Sequence, residues 1–293
     1  MRSRKKSGSS VLRIFGIIGF PVKHTLSPHF QNAAFAYLGL DAEYIPFETA
    51  PRELKAALGK FKALGVCGIN VTIPHKQAVL KLLDSVSPEA KGIGAVNTVV
   101  FKAGKTRGFN TDGEGFMRSL KSDLKFNPKG KAVFLFGCGG AAQAIAFVLA
   151  REGARSIAFT DQMEERAKKL SSKTGKDFPK CRVKYTPFIG ERIHEEVLGS
   201  DLLVNTTPVG MHKGDPCIVN PKALHRKLAV YDIVYNPPVT PLSKEAKRRG
   251  LKVANGLGML LYQGVLSFEL FTGKRAPVEV MRRALKKAVK CLR

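Results

Sequence analysis

Acidic residues are scarce in this chain: 23 Asp and Glu stand against 49 Lys and Arg in 293 residues, a formal charge of +26. Such a field attracts anionic substrates, and nucleic acid without regard to its sequence. The basic residues concentrate at the start (Arg2, Arg4, Lys5, Lys6), near Lys168 and Arg248, and at the end (Arg282, Arg283, Lys286, Lys287, Lys290). They read as solvated faces rather than a stripe interleaved with aromatics, so no specific nucleic-acid partner is expected. Long apolar runs are also missing. None approaches the roughly 18 residues that cross a bilayer, and Met1 to Ser10 is basic and polar with no long apolar segment behind it. The expectation is a soluble cytoplasmic protein with a disordered basic tail over 1–10 and no membrane partner. Cysteine is sparse and unpatterned: Cys67, Cys138, Cys181, Cys217 and Cys291 are odd in number and lack CxxC or Cys/His spacing. That favours reduced, mostly buried thiols and no metal site.

What is present is organised around Lys131 to Asp161. An apolar run, Ala132 to Phe136, breaks into Gly137, Cys138, Gly139 and Gly140 and resumes as a small-residue helix from Ala141. A tight turn there favours glycine, and a pyrophosphate must come close to the backbone; the helix N-terminus then offers N–H groups and a positive dipole to the anion. A second strand, Ser156 to Thr160, ends on Asp161, about 20 residues on, where a ribose-reading acid belongs in a dinucleotide fold. The pattern is GxGGAA, with Ala142 where a third glycine usually falls. A dinucleotide, NAD or NADP, is the expected cofactor. Candidate contacts are Gly137, Gly139, Gly140 and Ala141 at the turn, Asp161, Gln162 and Arg166 after the second strand, and Thr206.

The rest of the chain alternates strands and helices, which predicts an α/β protein of two domains with a mainly parallel sheet. Strands are expected at Leu12 to Phe20, Glu43 to Phe47 and Val66 to Val71. Helices are expected from Pro28 to Tyr37 and from Pro51 to Leu64, with another after Pro74 whose first turn holds His75 and Lys76. Ala95 to Phe101 and Thr106 to Phe109 are expected to form a hairpin. A helix from Glu114 leads through Asn127 to Gly130 into strands at Lys131 to Phe136, Ser156 to Thr160, Arg182 to Tyr185, Leu202 to Asn205, Ala229 to Ile233 and Leu251 to Val253. Two amphipathic segments, Leu257 to Phe271 and Pro277 to Leu292, close the chain, and their periodicity does not say which domain they join.

Eight short motifs then occur in order: HTLSP (His24 to Pro28), NVTIPHK (Asn70 to Lys76), GAVNT (Gly94 to Thr98), NTDG (Asn110 to Gly113), the glycine turn, NTTPVGM (Asn205 to Met211), YDIVYNP (Tyr231 to Pro237) and NGLGMLLYQ (Asn255 to Gln263). Together they resemble the shikimate dehydrogenase family. The resemblance implies an N-terminal α/β substrate domain, 11–113, completed by C-terminal helices of about 260–293. A Rossmann-type NAD(P)-binding domain, 114–259, would be inserted between them, with the active site in the cleft. It implies Lys76 and Asp112 as the catalytic pair. It also implies substrate contacts from Thr25, Ser27, Asn70, Thr72, Asn97, Tyr235 and Gln263, with Gly256 near the nicotinamide. The substrate would be a small anion, shikimate or 3-dehydroshikimate and possibly quinate, and the protein a monomer or homodimer.

The chemistry is consistent with those residue types. Oxidising a secondary alcohol sends a hydride to the cofactor and a proton to the protein. A partly desolvated lysine can take that proton while a carboxylate positions it. Lys76 at a helix start would sit at the dipole end that disfavours it, and Asp112 before a helix could serve as an N-cap. Two departures from the family pattern stand out. Thr25 replaces the usual serine, and Asp161, Gln162 and Met163 stand where NADP-using members carry Asn-Arg-Thr. A carboxylate accepts a bond from a free 2′-hydroxyl and repels a 2′-phosphate, so NAD is expected over NADP, with Arg166 as the residue that could still reach a phosphate. The alternatives are a quinate/shikimate dehydrogenase working catabolically, and a basic nucleic-acid-binding protein on an idle dinucleotide fold. A folate or tRNA-linked two-domain dehydrogenase would leave HTLSP and NTDG unexplained.

Overall fold

The computed structural model describes residues 12–291; the tail expected at 1–10 lies outside them. In chain order the first elements are β1 (Arg13–Gly19), α1 (Ser27–Tyr37), β2 (Ala42–Glu48), α2 (Leu54–Ala63), β3 (Gly68–Val71), β4 (Ser85–Val86), α3 (Pro88–Ile93), β5 (Thr98–Lys102) and β6 (Lys105–Phe109). Next come α4 (Asp112–Asp123), β7 (Ala132–Phe136), α5 (Gly140–Arg151), β8 (Ser156–Thr160), α6 (Glu164–Asp177), β9 (Arg182–Tyr185), α7 (Gly190–Leu198) and β10 (Leu202–Asn205). The chain closes with β11 (Ala229–Asp232), α8 (Pro241–Arg248), β12 (Lys252–Asn255), α9 (Leu257–Thr272) and α10 (Val278–Lys290).

Two compact units result. The first comprises the described residues to 87, 96–109 and 264 onward; the second comprises 88–95 and 110–263. The sequence motifs suggested breaks at 113/114 and 259/260, whereas the contacts break at 109/110 and 263/264. Residues 88–95 join the second unit because Ile93 and Ala95 bury against Ala144 and Phe147 of α5.

In the first unit a six-stranded sheet has the order β2-β1-β3-β5-β6-β4. β1 runs parallel to β2 and β3, and β5 and β6 form an antiparallel hairpin. Its turn places Ala103 (φ 48°) and Gly104 (φ 70°) in the left-handed region that a tight hairpin needs at both central positions. The core is aromatic: Phe15 packs on Phe35 and Phe271 at ring-centroid distances of 5.2 and 5.3 Å. α10 lies on α1 and buries Met281, Leu285, Ala288 and Val289 from one face.

The helix expected after Pro74 does not form. The chain makes irregular turns and only a 3₁₀ segment at Val79–Leu82. The Lys76 carbonyl accepts the Val96 N–H at 2.8 Å, which removes it from any helical ladder. The dipole penalty expected at Lys76 therefore does not arise.

The second unit has six strands, all parallel, ordered β12-β11-β10-β7-β8-β9. β7 is apolar throughout and fully buried, as a central strand covered on both faces must be. This is the doubly wound arrangement. Its strand order reverses between β7 and β10, and in such sheets the crevice at the carboxyl ends of those strands is the ligand position.

Candidate active site

The first unit gathers polar side chains behind the end of β3. Asn70, 6% exposed, turns the two N–H groups of Nδ2 to three acceptors that share them, the Asn97 carbonyl (3.1 Å), Thr98 Oγ1 (3.0 Å) and Ser267 Oγ (2.8 Å). Its Oδ1 accepts the Tyr44 hydroxyl at 2.7 Å. Burial pushes the Tyr44 phenol well up, opposed by a hydrogen bond with Ser27. Thr98 Oγ1 donates to Asn97 Oδ1 at 2.9 Å. Ser27, Asn70 and Asn97, each expected to touch substrate, thus share one buried network. Tyr44, Thr98 and Ser267 belong to it and were not singled out from sequence. A serine inside the apolar helix α9 was the available signal. Thr25 Oγ1 accepts the Ser27 N–H at 3.3 Å, fixing the loop before α1.

Thr72 and Lys76, both half-buried, follow β3. His75, 1% exposed, lies between them in sequence with Nε2 2.7 Å from the Thr49 carbonyl. A carbonyl only accepts, so Nε2 carries the proton. This bond and the Lys76–Val96 backbone bond hold the turn that presents Lys76.

In the second unit Asp112 is 5% exposed and is the first residue of α4. Its N–H donates to Asn110 Oδ1 at 3.0 Å; the N-cap position is Thr111, so Asp112 lies inside the helix and is not its cap. One turn on, α9 comes so close that a Cβ on Gly115 would lie 2.6 Å from the Gln263 nitrogen. That contact places Gln263 beside the first turns of α4. Tyr235 follows β11, and burial raises its phenol pKa. A Cβ on Gly256 would collide with the Ile233 carbonyl, which explains the glycine by packing alone.

The glycine turn divides by cause. Gly137 has φ 86°, and a Cβ there would stand 2.8 Å from Thr207 Cγ2 and 2.9 Å from Thr206 Oγ1. The Thr206 hydroxyl itself donates to the Phe136 and Gly137 carbonyls at 2.7 and 3.0 Å. Gly139 differs. Its φ is −76°, no protein atom lies within 4 Å of where a Cβ would go, and it caps α5 without a side chain. Nothing within the protein demands glycine there, but a pyrophosphate resting on the α5 N-terminus would. Gly140 and Ala141 begin that helix without an acid in its first turn. The residues present therefore fit a dinucleotide.

Asp161 is engaged by the backbone. Oδ2 accepts the Cys138 N–H and Oδ1 the Met163 N–H, both at 2.8 Å. Burial and the nearby Asp161 charge push the Cys138 thiol up to about 12, with Arg166 opposing, so both charges act at the turn. Gln162 and Arg166 are exposed. Beneath the switch point, Asn205 Nδ2 donates to buried Asp232 (3.0 Å), which also accepts the Thr240 hydroxyl (2.6 Å); burial still raises the Asp232 pKa.

A doubly wound parallel sheet with a bare glycine turn at its switch point, in a chain whose other unit is α/β and holds a buried polar cluster, defines a dinucleotide-dependent oxidoreductase. Residues 17–99 match the shikimate dehydrogenase substrate binding domain, and 256–286 the shikimate 5'-dehydrogenase C-terminal domain. A shikimate dehydrogenase (NADP(+)) from Methanopyrus kandleri is 46% identical over 274 residues, 93% of this chain and 94% of that protein. A shikimate dehydrogenase solved in complex with NADP+ superposes with TM-score 0.88 at 38% identity, covering 94% of this chain and 96% of the other. The Listeria monocytogenes shikimate 5-dehydrogenase, solved with shikimate and NAD, gives 0.87 at 35% identity, covering 96% and 98%. The chain belongs to the shikimate dehydrogenase family and is an NAD(P)-dependent oxidoreductase acting on a CH–OH group. Among the described residues no helix is long and apolar enough to cross a membrane.

Proposed function

We propose that this enzyme reversibly reduces 3-dehydroshikimate to shikimate, the biosynthetic use of the reaction, and prefers NAD to NADP. The observation that carries the substrate reading is the buried network of Ser27, Tyr44, Asn70, Asn97, Thr98 and Ser267. Polar groups in a core cost stability unless each is satisfied, and this unit keeps these six together at the end of a central strand. They suit a ligand that is itself a polyhydroxylated acid. Thr25 and Ser27 donate to its carboxylate, and Asn70, Thr72, Asn97, Tyr235 and Gln263 hold its hydroxyls. Lys76 and Asp112 share the reacting hydroxyl: Lys76 exchanges its proton and Asp112 orients it. The dinucleotide, when bound, supplies or takes the hydride.

The cofactor preference rests on Asp161. Its two backbone bonds leave each oxygen a spare lone pair for a ribose hydroxyl and leave the negative charge in place, and Gln162 brings no cation for a 2′-phosphate. Relatives named for NADP(+) weigh the other way, which makes the pair Asp161 and Gln162 the deciding feature of this chain. Initial rates with shikimate and with quinate at saturating cofactor test the substrate reading. Shikimate should be oxidised with the larger kcat/KM; a larger value for quinate would favour the catabolic alternative.

A further inference from the structure

We propose that the second unit carries a separate site for a small zwitterion of the α-amino-acid class. A cavity of about 230 Å³ opens beside the edge strand β12, lined by Asp123, Lys247, Pro238, Val253, Asn255 and Ser243. It is smaller than the pockets that hold drug-sized ligands. Asp112 and Asp123 are the two ends of α4, roughly 16 Å apart at 1.5 Å per residue, so this cavity is not part of the site built around Asp112.

Asp123 is an exposed carboxylate held in place by hydroxyls and left without a cation. It stands at the last residue of α4, where the helix dipole disfavours negative charge. Its oxygens accept only neutral hydroxyls, Ser119 at 2.5 Å and Ser122 at 2.9 Å. Ser119 is in turn fixed by the buried Tyr231 hydroxyl at 2.7 Å. Gly258 leaves the room that the carboxylate occupies, because a Cβ there would strike Asp123 Oδ2. In a chain with 49 basic and 23 acidic residues, no Lys or Arg among the described residues pairs with it. Lys247, in the last turn of α8, lines the same cavity and likewise has no carboxylate partner among the described residues.

The other polar groups of the wall are spent. Ser243 Oγ exchanges bonds with the Thr240 N–H and carbonyl, and Asn255 bonds the Pro238 carbonyl and the Leu257 N–H. Recognition therefore falls to the two opposite charges, with Pro238 and Val253 as the apolar side. A monoanion would meet Asp123 and a monocation would meet Lys247, each unfavourably. An ammonium and a carboxylate on one small molecule satisfy both.

The test is calorimetric titration of the full chain with each common L-amino acid, followed by the N-acetyl and methyl-ester derivatives of the tightest. Millimolar or tighter saturable binding is expected for a subset. It should be lost in both derivatives, be at least about tenfold weaker in Lys247→Met and Asp123→Asn, a loss of about 1.4 kcal/mol, and be unchanged by saturating shikimate. Lys247 is exposed, so its replacement leaves the fold intact, and Asn at 123 keeps one oxygen to accept a serine hydroxyl while its amide N–H donates to the other. Absence of saturable binding in the native chain, binding indifferent to Lys247→Met, or competition by shikimate would overturn the proposal. Because the readout is binding rather than turnover, its failure leaves the proposed reaction untouched.

Discussion

The Asp161 carboxylate and the Cys138 N–H meet at 2.8 Å, tying the end of the second strand of the dinucleotide unit to its phosphate turn. Asp161 therefore does two jobs that can be separated. An asparagine keeps an oxygen for the Cys138 N–H, gives up the bond from the Met163 N–H and removes the charge. Asp161→Asn combined with Gln162→Arg should retain the native melting temperature within a few degrees. It should move the NAD/NADP ratio of kcat/KM towards NADP by about 10- to 100-fold, the worth of one charge-assisted hydrogen bond at 1.5–3 kcal/mol. Steady-state kinetics with both cofactors checks this; an unmoved ratio would dissociate Asp161 from cofactor choice.

The two glycines of the turn should fail differently. At Gly137, alanine meets both a left-handed φ and the Thr206 and Thr207 side chains, so Gly137→Ala should destabilise the fold by about 1–3 kcal/mol in urea denaturation. At Gly139 alanine meets open space at an ordinary φ. Gly139→Ala should leave stability unchanged and raise the cofactor KM about tenfold or more. A stability loss at Gly139 with cofactor binding intact would remove the pyrophosphate from that position.

His75 positions Lys76 without touching substrate in this account. Replacing it by alanine strands the Thr49 carbonyl, which accepts its Nε2–H, at a cost of about 1–3 kcal/mol. Loosening of the following residue should lower kcat more than it raises KM. His75→Gln, which keeps a donor, should recover part of both. Equal kcat for the alanine variant and the native enzyme would show that Lys76 is held by its backbone alone.

Much of this was legible in the sequence. Strands at Ser156–Thr160, Arg182–Tyr185 and Leu202–Asn205 match the expected bounds to the residue, because short runs that are apolar, or alternate polar and apolar as Arg182–Tyr185 does at the sheet edge, have one sensible reading between turn formers. The turn bearing Lys76 was not, because its Val96 partner is distant in sequence and outcompetes a local helix. Residues 88–95 were assigned by chain order, while burial of Ile93 and Ala95 decides their unit. Tyr44 and Ser267 escaped notice because a single polar residue in an apolar element looks alike whether it is solvated or part of a buried network. The two backbone bonds of Asp161 were equally invisible: an acid at a strand end announces its charge, not its hydrogen-bond partners.

The most direct test of the account is a double-variant cycle on Lys76 and Asp112. Lys76→Met and Asp112→Asn should each lower kcat for shikimate by about 10²–10⁴ with the fold retained. The double variant should be no slower than the worse single one, because groups that act as a unit lose their contribution once. Multiplying losses, or native kcat in either single variant, would contradict the assignment of these two residues as one catalytic pair.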